Sequence, residues 1–145
     1  RKRKMLIDLI NKYWDKKYDL NCAECMLYAA NQEYDLGLSK REFKIMAGFG
    51  GGMAIEGVCG VASGAVATIG VMFTKDRGHE SVIVKELTKE FMQRFHETLK
   101  TYKCDELKER YKKNDDRRCI YILEEAGKIL AMIIERERKN IVKWN

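Results

Sequence analysis

Gly48-Phe49-Gly50-Gly51-Gly52-Met53-Ala54-Ile55-Glu56-Gly57-Val58-Cys59-Gly60-Val61-Ala62-Ser63-Gly64 holds seven of the chain's eleven glycines. Ordering so many glycines costs conformational entropy, so a stable fold must need their backbone freedom or their lack of bulk. The stretch has two halves. The first is a loop rich in glycine. The second opens an apolar run that continues to Phe73 without a charge. The run from Val58 to Phe73 is about sixteen residues, short for a membrane span, and rich in Gly, Ala, Ser and Thr. It predicts a buried core helix starting near Cys59. Gly60 and Gly64, four apart, share one face of that helix and would let another backbone approach closely.

On the N-terminal side, Leu6, Ile7, Leu9, Ile10, Tyr13 and Trp14 repeat with helical period and predict an amphipathic helix over about 5–17. Asn21 with Glu24 reads as a capping box that starts a second helix, with Cys22 at its first position and Gly37 as its left-handed end. Ser39 with Glu42 repeats that signature ahead of a short helix with Phe43, Met46 and Ala47 inward. The glycine loop follows, where a short hairpin is an alternative.

On the C-terminal side, Val84, Leu87, Phe91, Phe95 and Leu99 mark a long helix. Cys104 opens a short segment reaching Tyr111. A polar connection, 112–118, offers Asp115 or Asp116 as a cap. The last helix carries Cys119, Ile122, Leu123, Ala126, Ile129, Leu130 and Ile133 on one stripe. Proline is absent, which suits uninterrupted helices. The expected fold is all-α: one domain over 1–145, a bundle of five to six helices with a glycine-rich loop.

The chain has 145 residues, enough for a real core, with 46% hydrophobic and 34% charged residues. Its net charge is +6. Lysines and glutamates alternate, and no basic stripe is interleaved with aromatics, so the excess reads as solvated surface and no nucleic-acid partner is expected. Arg1-Lys2-Arg3-Lys4 reads as a disordered or engineered end. No secretory signal or membrane span is expected, and the protein is placed in the cytoplasm. There, five cysteines point to metal or redox chemistry rather than structural disulfides.

Cys22, Cys59 and Cys119 each fall in the predicted first turn of a helix. Unpaired amides and the helix dipole favour negative charge there, so each thiol should have a lowered pKa and act as thiolate. Cys104 leads toward Cys119, and a bundle can bring all four to one end. The competing reading makes each cysteine a small buried hydrophobe. Cys22-Ala23-Glu24-Cys25 is a C-x-x-C pair at a helix start, but no βαβ unit, second C-x-x-C or histidine pair accompanies it. Met26 follows it instead of His, so haem is not expected.

Together these elements resemble the redox-active family named for its cysteine pattern, C-GCAxxG-C-C. The resemblance runs from about Asn21 to Ala131. It rests on Asn21-Cys22-Ala23-Glu24, the run Gly48 to Met53, Cys59-Gly60-Val61-Ala62-Ser63-Gly64, Cys104 and Cys119. Val61 stands where the family usually has Ala, and Cys25 is an additional cysteine. The family is similar to the C-terminal part of split-Soret cytochromes, which implies an iron–sulfur cluster on the family cysteines and electron transfer. Members carrying selenocysteine imply thiol redox chemistry instead.

Three readings result. In the first, Cys22, Cys59, Cys104 and Cys119 bind an iron–sulfur cluster for electron transfer or redox sensing, with amides from Gly50, Gly51, Gly52 and Gly60 facing its sulfurs. In the second, a metal-free thiol–disulfide oxidoreductase uses Cys22 with Cys25 or Cys59. In the third, a non-enzymatic interaction module, a homodimer for instance, has structural or zinc-binding cysteines. A redox partner protein is expected for the first two. The glycine run fails G-x-G-x-x-G, since Met53 or Ile55 falls at the last glycine, so no nucleotide is expected. His79 and His96 read as surface residues, and Met53 as core. The C-terminal Arg136, Arg138, Lys139 and Lys143 read as solvated, with Ile141, Val142 and Trp144 beside them open to a partner.

Overall fold

A computed structural model describes residues 5–112 and 119–144, and the side chains of that range up to residue 140. Seven α-helices are present among them: α1 Leu6–Tyr13, α2 Cys22–Tyr34, α3 Lys40–Phe43, α4 Gly60–Phe73, α5 Val82–Leu99, α6 Cys104–Tyr111 and α7 Ile120–Trp144. The count exceeds the expected five to six because two are short: α3 is a single turn and α6 two. No β-strand forms among the described residues. The hairpin alternative is replaced by an irregular turn over Gly52–Glu56 and one isolated antiparallel bridge, Val58 with Lys103.

The uncharged α4 lies at the centre, packed by α2, α5 and α7, while α1 crosses α2 and α7. Val61, Ala62, Ala65 and Ile69 are fully buried, and Thr68 is buried with its hydroxyl donating to the Gly64 carbonyl at 3.0 Å. Small residues allow the crossing with α2. A Cβ on Gly64 would lie 2.6 Å from the Ala23 carbonyl oxygen. Around this pair, Leu6, Leu9, Ile10, Phe91, Phe95, Leu123 and Leu130 form the core. The helix-period residues that predicted α1, α5 and α7 are those that pack here. No helix among the described residues is long and apolar enough to cross a membrane.

Both capping boxes form. Asn21 accepts from the Glu24 amide while the Glu24 carboxylate accepts from the Asn21 amide, and Ser39 and Glu42 do the same. Other details differ from expectation. α1 stops at Tyr13, because Asp15 accepts from the Lys17 amide and starts a 3-10 turn at Lys16–Tyr18. Asp35, at φ 54, caps α2 in place of Gly37, which lies two residues on at φ 68. Ala47 is exposed, and Met53 is 50% exposed rather than core.

Arg136 and Arg138 are not merely solvated. The first donates to both carboxylate oxygens of Glu90 at 2.8 and 2.7 Å, tying α7 to α5. The second donates to the Tyr34 carbonyl at 3.1 Å, tying α7 to the end of α2. His79 and His96 are exposed, as expected. The Arg1–Lys4 end and the Asp115/Asp116 cap lie outside the described residues, and so do the side chains of Ile141, Val142, Lys143 and Trp144.

Candidate functional site

Four helices begin around one cavity, each at or beside a cysteine. Cys22 is the first residue of α2 and Cys104 the first of α6. Cys59 is the N-cap of α4. Cys119 immediately precedes α7 and its carbonyl accepts from the Leu123 amide at 3.0 Å. All four line one cavity of about 180 Å³. Its floor and sides are Trp14, Leu107 and Ile122, Gly51 comes in from the loop, and Asn21, Lys108 and Lys112 complete the lining.

Backbone bonds fix the cysteine-bearing segments. The Cys59 amide donates to the Tyr102 carbonyl at 2.8 Å, and the Cys104 amide donates to the Gly57 carbonyl at 2.6 Å. The Val58–Lys103 bridge lies between these two bonds, so Cys59 and Cys104 are set in register. The Asn21 side-chain amide donates to the Ala47 carbonyl at 3.0 Å and holds the glycine loop against the start of α2.

Two glycines are dictated by crowding. A Cβ on Gly60 would lie 2.7 Å from the Cys22 sulfur and 2.9 Å from the Phe49 carbonyl oxygen. One on Gly52 would lie 2.5 Å from the Gly57 nitrogen and 2.9 Å from Cβ of Cys104. Gly50 packs on the Asn21 side chain. Of the four glycines expected at a cofactor, Gly51 lines the cavity, while Gly50, Gly52 and Gly60 stand close behind it.

The thiols do not have the lowered pKa values that helix starts alone would suggest. Burial dominates and pushes Cys22 up, against the pull of amides from Gly51, Ala23 and Cys22 itself. Cys59 is pushed up to about 12 by burial and then by the neighbouring Cys22, although the Ala62 and Val61 amides face it. Cys119 rises to about 11 through burial and the proximity of Cys22. Cys104 also rises through burial, with Lys108 pulling the other way. An amide dipole favours thiolate, but the loss of water from a shared apolar cavity outweighs it. Without a bound cation the site therefore holds neutral thiols.

Cys25 lies apart. It is fully buried on α2, and its Sγ donates to the Ile10 carbonyl at 3.6 Å, toward α1. Lys108, Lys112, Trp14 and Glu56 were not identified from sequence. The first two had a signal: Cys104, Lys108 and Lys112 recur every four residues on one helical face. Lys108 also pairs with Glu56 of the loop at 3.1 Å. That pairing joins distant segments and has no local signature.

A single tetrahedral ion binds thiolates at about 2.3 Å and so draws the sulfurs to within roughly 4 Å of one another. Among the described residues no three His, Cys, Asp or Glu groups are gathered in a way that could hold one metal ion. The four thiols instead surround a volume. A polynuclear cluster distributes its thiolates over two or more metal atoms, so an all-cysteine set spread around a cavity fits that kind of group.

A family model described as "Putative redox-active protein (C_GCAxxG_C_C)" matches residues 20–133. No curated protein and no solved structure matches the chain.

Proposed function

The chain belongs to the C-GCAxxG-C-C family of redox-active proteins, and from that premise we propose that it binds an iron–sulfur cluster through Cys22, Cys59, Cys104 and Cys119. The observation that carries this reading is the convergence of four thiols, from four helix starts, on one cavity. A cluster held there would supply one-electron redox chemistry.

The protein's own residues do the rest. The four cysteines ligate as thiolates, and because burial keeps them protonated in the free protein, loading must expel protons. Amides of Gly51, Val61 and Ala62 donate toward the sulfurs of Cys22 and Cys59 and favour added negative charge. Lys108 and Lys112 place positive charge at the cavity. Trp14, Leu107 and Ile122 keep water from its inner side.

Purification without oxygen, with iron and acid-labile sulfide determined beside a visible spectrum, tests the proposal. Brown protein with iron and sulfide in similar amounts is the expected result. Colourless protein that takes up no iron on anaerobic reconstitution defeats it.

One observation favours a second reading. Cys22 and Cys59 line the same cavity, and Gly60, next to Cys59, lies against the Cys22 sulfur, so a Cys22–Cys59 disulfide would carry metal-free thiol chemistry. Cys25, bonded toward Ile10, would take no part. The raised thiol pKa values weigh against it, because thiolate is the attacking form. A reversible two-electron oxidation that Cys59→Ser abolishes, in protein free of iron, would favour it over the cluster.

A further inference from the structure

The thiol cavity has walls of two kinds. Trp14, Leu107 and Ile122 belong to the core of the bundle, so they cannot swing aside without disturbing it. The glycine loop forms the wall between Cys22 and Cys104. Gly51 lines the cavity with its amide toward the Cys22 sulfur, and Gly52 rests on Cβ of Cys104. From there the chain turns out to solvent. Met53, Ala54, Ile55 and Glu56 are all exposed, so none of the four is anchored by burial.

The backbone of this wall is strained. Gly51, Gly52, Met53, Ala54 and Glu56 have φ of 64°, 62°, 59°, 66° and 56°, all in the left-handed region. The two glycines adopt it freely, but three residues that carry a Cβ do so against their preference. Such backbone persists only where its surroundings over-determine it. Two ties hold it here. At the root, the Gly57 amide donates to the Gly52 carbonyl at 2.9 Å. At the far end, Glu56 pairs with Lys108 at 3.1 Å. Lys108 stands on α6, the helix that Cys104 begins, and itself lines the cavity. The side chains of this pair are 36% and 53% exposed for Lys108 and Glu56, so water and salt weaken the tie.

A segment with exposed side chains, strained backbone and one exposed ion pair opens locally while the rest of the fold stays intact. The cavity needs such a segment. Cys22, Cys59 and Cys104 are buried, and whatever the thiols hold must reach them. We propose that residues 52–57 are the gate of the thiol cavity and that the Lys108–Glu56 ion pair is its latch. When the pair breaks, the strained turn relaxes, Gly51 withdraws from the Cys22 sulfur, and the cavity opens. That the gate serves a cluster rests on the proposed function; that it controls entry to the thiols does not.

Labelling of the reduced, metal-free protein with dithiodipyridine tests it. This uncharged disulfide is opened by a thiol to give a mixed disulfide and free thiopyridone, and mass spectrometry follows each cysteine separately. Glu56→Gln and Lys108→Met are each expected to speed labelling of Cys22 and Cys104 about two- to fivefold, the effect of losing an exposed ion pair. The double variant should be no faster than either single one, because both remove the same interaction. Cys25, buried outside the cavity, reports unfolding of the bundle and should label at the wild-type rate throughout. A direct effect of charge on the thiols differs in sign. Beyond the burial that dominates, Lys108 favours the Cys104 thiolate and Glu56 disfavours it, so without a latch the two variants move in opposite directions. Hydrogen exchange at the Gly57 amide, which does not depend on thiol ionisation, should quicken in both.

Opposite shifts, unchanged rates in both variants, or Cys25 labelling that quickens in step with Cys22 overturns the gate. Protein that takes up no iron yet labels faster in both variants overturns the cluster alone. Iron-binding protein whose metal-free variants label like the wild type overturns the gate alone.

Discussion

Gly60 lies against the sulfur of Cys22, so close that a methyl group on Gly60 would stand 2.7 Å from it. The first turn of α4 is thereby pressed onto the first residue of α2, and Cys59 is delivered beside Cys22. Gly60→Ala must move the sulfur or the Phe49 carbonyl. Overpacking of this kind costs about 1–3 kcal/mol. The variant is expected to keep its helical circular dichroism and to lose most of its iron on anaerobic reconstitution.

Replacing cysteines one at a time should sort them in two. Cys22→Ser, Cys59→Ser, Cys104→Ser and Cys119→Ser are each expected to lower iron and sulfide content severalfold or abolish it. Cys25→Ala should keep both, because Cys25 faces Ile10 and not the cavity. Its cost should appear only in thermal stability, about 1 kcal/mol for one weak buried donor and a small void. Iron lost in Cys25→Ala and kept in Cys119→Ser would contradict the assignment.

Stability of the reduced, metal-free protein should fall at alkaline pH. Cys59, at about 12, holds its proton in the folded state well above the pH at which the unfolded thiol, near 8.5, releases it. Between those values the folded state binds more protons, so unfolding becomes easier as pH rises, by up to about 1.4 kcal/mol per pH unit for that thiol. Cys119, at about 11, adds to the slope over a narrower range. Urea titrations from pH 8 to 11 should show the midpoint falling, and Cys59→Ser should flatten the decline.

Lys108 sets a positive charge beside Cys104 and Cys119 and is itself held by Glu56 at 3.1 Å. In loaded protein, Lys108→Met should lower the reduction potential, since the more negative reduced state loses a nearby cation. Water reaches the lysine, so the shift should be about 20–60 mV, under a factor of ten in equilibrium for one electron. Glu56→Gln should shift the potential the other way, by less. An unchanged potential in both would show that the lysine acts only in packing.

Much of the helical fold was legible because its signals are local. The Leu87, Phe91, Phe95, Leu99 series and the Ile122, Leu123, Ala126, Leu130 series carry their period in the chain itself. The capping boxes at Asn21 and Ser39 complete themselves within three residues. Where a competing local bond intervened, expectation and structure parted. Asp15 ended α1 early, and Asp35 took the left-handed cap in place of Gly37.

The glycine loop marks the limit of such reading. Its composition announces that backbone freedom or closeness is needed, but not where. Met53 and Ala54 share the left-handed conformation with Gly51 and Gly52, which no residue preference would suggest. Met53 faces outward as a result, against its apolar character.

By itself, the sequence determined the helix content, the four cysteines at or beside helix starts, and the family, since periodicity, caps and motif spacing are properties of the chain read in order. Only the tertiary structure decided that those starts meet around one cavity, that Cys25 is left outside it, and that Lys108 is bound to Glu56. It also decided the sign of the thiol pKa shifts. Helix starts alone pull a thiol's pKa down, but desolvation depends on what surrounds the sulfur, and that is set by segments far apart in the chain.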